Sequence, residues 1–127
     1  MIDIRFGDNL EILQKIDTGS VDLIYIDPPF NTGHVQKRES LRTVQDENGD
    51  RIGFGGKSYH TEKVESMSYL DIFDDYMGFL KPRLDEAYRI LKPNGSLYFH
   101  CDYREVHYCK ILLDQIFGRA SYTNEII

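Results

Sequence analysis

Four consecutive residues, Asp27-Pro28-Pro29-Phe30, carry the densest chemical potential in the chain. Asp27 supplies a carboxylate that accepts hydrogen bonds. Pro28 and Pro29 have no N–H and a fixed φ, so they hold the chain rigidly and leave no competing backbone donor. Phe30 adds an aromatic face. Together they form a stiff unit that sets two acceptors, the Asp27 carboxylate and the Pro28 carbonyl, beside an aromatic face. Two further acids, Asp8 and Asp102, fall where helices begin, so each reads either as a ligand-facing carboxylate or as a helix cap. His100, Cys101, His107 and Cys109 invite a metal reading. Adjacent strand residues point to opposite faces, however, and the spacing fits no zinc pattern, so these four read as structural and no metal is expected.

The elements that must position these residues alternate. Ile2, Ile4 and Phe6 are interleaved with Asp3 and Arg5, which predicts a short strand ending at Gly7-Asp8. A helix follows from about Leu10, broken by Thr18-Gly19-Ser20. Val21 to Ile26 is a near-continuous β-favouring run of the buried parallel type, and the prolines stop it at once. Residues 31–66 show no sustained period and predict a long mobile loop, with Asp46-Glu47-Asn48-Gly49-Asp50-Arg51 able to turn a small hairpin. Helical spacing of Ile72, Phe73, Tyr76, Leu80, Leu84, Ala87, Tyr88 and Leu91 follows, with a kink or a junction of two helices expected near Pro82. Lys92-Pro93-Asn94-Gly95 stops that helix. Ser96 to Cys101 reads as a second buried strand, Glu105 to Ile116 as an amphipathic helix, and Tyr122 to Ile127 as the beginning of another strand. The order predicts an α/β fold with a mostly parallel sheet flanked by helices. In such sheets ligands bind beyond the carboxyl ends of the strands, where Gly7-Asp8, Asp27 to Phe30 and Asp102 all fall.

Bulk properties narrow the class. The 127 residues fit a single domain, and 41% hydrophobic with 28% charged content is ordinary for a globular protein. No apolar run reaches the roughly 20 residues of a membrane span. Two cysteines give no disulfide framework, which makes a reducing, cytoplasmic setting the default. The net charge of −6 argues against a phosphate-rich partner. Against that stand Lys37, Arg38, Arg42, Arg51, Lys57 and Lys63, which either touch phosphates or belong to a solvated loop balanced by nearby acids.

A buried strand running into Asp-Pro-Pro-Phe resembles the catalytic motif of DNA methyltransferases that modify exocyclic amines. The likeness extends from Ser20 through Asn31-Thr32-Gly33, which looks like the longer signature of the permuted, beta-type subgroup. It continues through Phe79 to Leu84, Leu91 to Gly95, Leu97 to Asp102 and the tail Asn124-Glu125-Ile126-Ile127. The resemblance implies a Rossmann-like fold, of which this chain is the truncated N-terminal catalytic portion (residues 1–127). It implies S-adenosylmethionine as cofactor, with Asp8, Asp27 and Asp102 at its edge, and double-stranded DNA with a flipped-out base as substrate. Asp27, Pro28, Pro29 and Phe30 are then catalytic, and Phe30, Asn31, Thr32 and Gly33 line the base pocket. Adenine N6 is the first target and cytosine N4 the alternative; a non-catalytic fragment is the competing reading.

In that subgroup the Phe-x-Gly-x-Gly loop that holds the cofactor's methionine part lies toward the C-terminus. Gly53-Phe54-Gly55-Gly56 resembles it only superficially, because no buried strand precedes it, and it reads as a flexible loop. A C-terminal remainder of the enzyme is the implied partner. A sheet lacking strands leaves an open edge, so self-association into a homo-oligomer is also expected.

Overall fold

The computed structural model describes the backbone of residues 1–49, 51–53 and 55–127, and the side chains of all these except residues 37–40, 64–67, 69 and 70. The chain divides into two compact units, one of residues 1–32 with 73–127 and one of residues 33–72.

The first unit is a mixed α/β structure. Helix α1 spans Asn9–Leu13 and strand β1 spans Val21–Ile26. Beyond the other unit come helix α2 (Tyr76–Ile90) and helix α3 (Val106–Phe117), with a strand of the same sheet, Leu91–Phe99, between them. That strand, β5 in chain order, pairs parallel with β1. Four positions run in register, Leu23 to Ile26 against Ser96 to Phe99, after an irregularity that absorbs Lys92 to Gly95. The β-favouring run at 21–26 forms a parallel strand as its composition predicts, but not a buried one: with one neighbour in the sheet, Leu23 and Tyr25 stay 58% and 62% exposed.

Amphipathic spacing builds the core. Tyr76, Leu80, Leu84 and Ala87 recur at helical intervals along one face of α2, and all are buried. Tyr76, Leu80 and Leu84 meet Cys109 and Leu112 of α3, while Ile26, Leu97 and Phe99 of the strands pack against this cluster. Pro82 does not divide α2, which runs as one helix from Tyr76 to Ile90. The ring removes one i→i−4 donor, but the Arg83 guanidinium donates to the neighbouring Phe79 carbonyl at 2.8 Å.

Two expected elements are not formed, and one of them is the strand at 122–127. Residues 1–6 make no strand, and Ile2, Ile4 and Phe6 are at least 89% exposed. Alternation alone cannot make a strand, because the ladder needs a paired neighbour, and among the described residues the sheet of this unit holds β1 and β5.

The second unit corrects the reading of residues 31–66 as a structureless loop. It contains β2 (His34–Gln45), β3 (Arg51–Ile52) and β4 (Ser58–Asp71) in a three-stranded antiparallel sheet of order β2-β4-β3. The segment lacks a hydrophobic period because polar and charged residues dominate both faces, for example Arg42 opposite Glu62 and Thr43 opposite Thr61. Cross-strand pairs of this kind stabilise a ribbon without any apolar alternation. Asp46 does begin a turn, accepting from Asn48 and Gly49 N–H at 3.0 Å each. That turn carries the chain across β4 rather than closing a β2–β3 hairpin. The tight hairpin is β3–β4, through Gly53 and Lys57.

Candidate active site

Parallel pairing brings the ends of β1 and β5 side by side. Ile26 faces Phe99, and the His100 N–H donates to the Ile26 carbonyl at 2.8 Å. Asp27 and His100 are the next residues on each strand, so both leave the sheet at the same edge. His100 Nδ1 lies 3.5 Å from Asp27 Oδ1 and 3.2 Å from the Tyr25 hydroxyl. The imidazole also meets the Phe30 ring, with centroids 5.2 Å apart and planes tilted by 53°. Asp27 and His100 side chains are 56% and 53% exposed, so the carboxylate is open to an incoming molecule.

The rest of the motif is tied down. The Tyr76 hydroxyl, at the start of α2, donates to the Pro29 carbonyl. Asn31 has φ of 55°, a left-handed conformation that asparagine tolerates better than most residues. Its Oδ1 accepts from Phe73 N–H at 3.0 Å and its Nδ2 donates to Glu105 Oε1 at 2.9 Å. Asn31 thus clamps the turn to the approach of α2 and to the residue that caps α3. Thr32 is half-buried, and Gly33 opens the second unit with its N–H donating to the Asp71 carbonyl at 2.9 Å.

The other two acids are already engaged. Asp8 caps α1 by accepting from Leu10 N–H at 2.8 Å, and Arg83 of α2 lies 3.1 Å from its Oδ2. Asp8 is therefore drawn toward α2, since the strand that would have carried it to the sheet edge does not form. Asp102 accepts from the Arg104 N–H at 3.0 Å and pairs with its guanidinium at 2.6 Å. The Arg104 side chain is the main reason the Asp102 carboxyl is held below its ordinary range. Asp102 does not cap α3, whose N-cap is Glu105.

The Cys101 thiol is half-buried and the Cys109 thiol buried. Burial pushes both thiols up, Cys109 to about 12. An apolar groove of about 200 Å³ between α2 and α3 is lined by Met77, Tyr108, Ile111, Leu112 and Gln115. In the second unit Arg42 sits opposite Glu62, Arg51 opposite Tyr59 and Lys63 opposite Leu41. The side chains of Lys37 and Arg38, and Phe54 of the Gly-rich turn, lie outside the described residues.

Sequence reasoning found the Asp27 turn but missed His100, Tyr25, Tyr76 and Glu105 as its supports. His100 was legible in principle, because two parallel strands that end together place the residues after them side by side. Tyr76 and Glu105 carry no such signal, since their contacts depend on how helices meet the turn.

Residues 21–127 match the DNA methylase family of the N6/N4 type. Over 127 residues the chain is 32% identical to the type II methyltransferase M.KpnI of Klebsiella pneumoniae, covering 98% of this chain and 26% of that protein. It is 29% identical to the Mod subunit of the type III restriction-modification enzyme StyLTI of Salmonella typhimurium, covering 95% of this chain and 19% of the relative. It is 26% identical to the EcoP15I Mod subunit of Escherichia coli, covering 95% and 20%. The chain thus spans about a quarter of the length of the first of these relatives and about a fifth of the others.

Proposed function

This chain belongs to the DNA methylase family of the N6/N4 type, and from that premise we propose that it forms the base-pocket portion of a DNA methyltransferase acting on adenine N6. The observation that carries this reading is the strand-end site: an exposed Asp27 carboxylate on a turn held by Tyr76, Asn31 and Glu105, with Phe30 beside it. A parallel β1–β5 pair with helices α2 and α3 packed against it supports reading this unit as part of a Rossmann-like sheet.

An exocyclic amine is a poor nucleophile because its lone pair is delocalised into the ring. A base extruded from the duplex stacks on Phe30. Asp27 and the Pro28 carbonyl accept the two amine hydrogens, which lets the nitrogen pyramidalise. The carboxylate then stabilises the positive charge that develops on nitrogen, an interaction stronger in the transition state than in the ground state. The turn is preorganised because Asn31 and Tyr76 hold it before substrate arrives, so little is spent on ordering it.

S-adenosylmethionine supplies the electrophilic methyl group. Its sulfonium, ammonium and ribose hydroxyls suit carboxylate partners, and the acids of this chain fit that need. Asp27 is open, while Asp8 and Asp102 would bind by exchanging Arg83 and Arg104 for the cofactor. The relatives are several-fold longer; a remainder of that kind would supply the loop around the methionine part and most of the basic contacts to DNA, which accommodates a net charge of −6 on this portion. Cytosine N4 presents the same amine geometry and is the second reading.

Nucleoside analysis of DNA modified by the full-length enzyme tests the assignment. N6-methyladenine supports it, N4-methylcytosine transfers it to the second reading, and a methylated ring carbon would contradict both.

A further inference from the structure

Asp27 has two carboxylate oxygens, and a flipped base needs one of them held in a fixed direction. The structure shows which oxygen already has a neighbour: His100 Nδ1 stands 3.5 Å from Oδ1. We propose that His100 is the positioning residue of Asp27, donating an Nδ1–H to Oδ1 so that Oδ2 faces the amine. This inference rests on the role of Asp27 proposed above.

Four contacts support it. The His100 backbone N–H is fixed to the Ile26 carbonyl at 2.8 Å, so the imidazole leaves the sheet from a rigid point one residue from Asp27. Nδ1 faces two oxygens, the Asp27 carboxylate and the Tyr25 hydroxyl at 3.2 Å. An ionised carboxylate only accepts, so the arrangement favours a proton on Nδ1 over the alternative tautomer. The Tyr25 oxygen braces the same nitrogen from β1. On its face the ring meets Phe30, so one side chain orients both the acceptor and the stacking surface of the base pocket. At 3.5 Å the pair is a small side-chain rotation from hydrogen-bond distance, and such bonds commonly tighten only when substrate is bound.

His100 transfers no proton in this scheme. It fixes geometry, as second partners of catalytic groups do when they select a tautomer and an orientation.

Two readouts test the proposal. Long-range nitrogen NMR of this chain, taken about two units above the ordinary histidine pKa, reports the tautomer. We expect His100 as the Nδ1–H form and its return to the Nε2–H form in Asp27→Ala, with backbone amide shifts elsewhere confirming that the variant folds. A wild-type ring in the Nε2–H form would overturn the proposal.

In the full-length enzyme, His100→Ala is expected to lower kcat about ten- to a hundredfold, as misplacement of a reacting group does, with KM for DNA nearly unchanged. His100→Asn, whose amide nitrogen occupies the place of Nδ1, is expected to recover most of that loss. Equal losses in the Ala and Asn variants would overturn the positioning role. Full activity of Asp27→Ala would instead remove the function on which the inference rests, so the two failures are distinguishable.

Discussion

Replacing Asn31 with alanine probes the clamp that holds the motif. The substitution removes the acceptor of the Phe73 N–H at 3.0 Å and the donor to Glu105 Oε1 at 2.9 Å. The backbone bond contributes about 1 kcal/mol and the charge-assisted one about 1.5 kcal/mol, the lower end because the site is only part-buried. Alanine must also hold the φ of 55° that asparagine tolerates, at about 1 kcal/mol. The sum is about 3.5 kcal/mol. Urea unfolding followed by circular dichroism reads it directly: with a slope of about 2 kcal/mol/M the midpoint falls by roughly 1.7 M.

Glu105→Ala and the double variant complete a cycle that isolates the Asn31–Glu105 term. A coupling of about 1.5 kcal/mol is expected, since neighbours that share a bond are not additive. A coupling below about 0.5 kcal/mol, or a midpoint shift under about 0.5 M for Asn31→Ala, would refute the clamp.

Arg83→Ala should destabilise the chain by about 2 kcal/mol, because Arg83 joins Asp8, Asn9 and the Phe79 carbonyl and lies 3.9 Å over the Phe79 ring. Amide exchange should then rise selectively across α1. Asp75→Ala should loosen the start of α2 by about 1 kcal/mol, since the Asp75 carboxylate caps the helix by accepting from Gly78 N–H at 2.8 Å; helix content and melting report it. The Cys109 thiol is raised from 9.0 to about 12, so the folded chain retains a proton that the unfolded chain gives up. That stability is present below pH 9 and lost as pH rises toward 12, a decline that should be shallower in Cys109→Ala. Thiol-specific labelling of the native chain should reach Cys101 before Cys109, which is 1% exposed.

The parts of this fold legible in the sequence are those written in local pattern. Val21 to Ile26 announces a parallel strand, though its expected burial is not met; the prolines announce its end, and Tyr76, Leu80, Leu84 and Ala87 announce the buried face of α2. What failed depended on partners. Ile2, Ile4 and Phe6 alternate as a strand does, but pairing is decided by a neighbour that the sequence of the segment does not encode. The β2–β4 ribbon was invisible for the opposite reason. Its stability comes from cross-strand matches between positions such as Arg42 and Glu62, which lie twenty residues apart and leave no period to detect. At the site, Asp27 and Phe30 were readable as residue types, whereas the Asn31 clamp required knowing where α2 and α3 begin in space.

The most direct test of the account is methyl transfer from labelled S-adenosylmethionine to DNA by the full-length enzyme and its Asp27→Ala variant. The account predicts labelled N6-methyladenine with the wild type and loss of transfer in a variant that still melts cooperatively. Undiminished transfer by Asp27→Ala would contradict it.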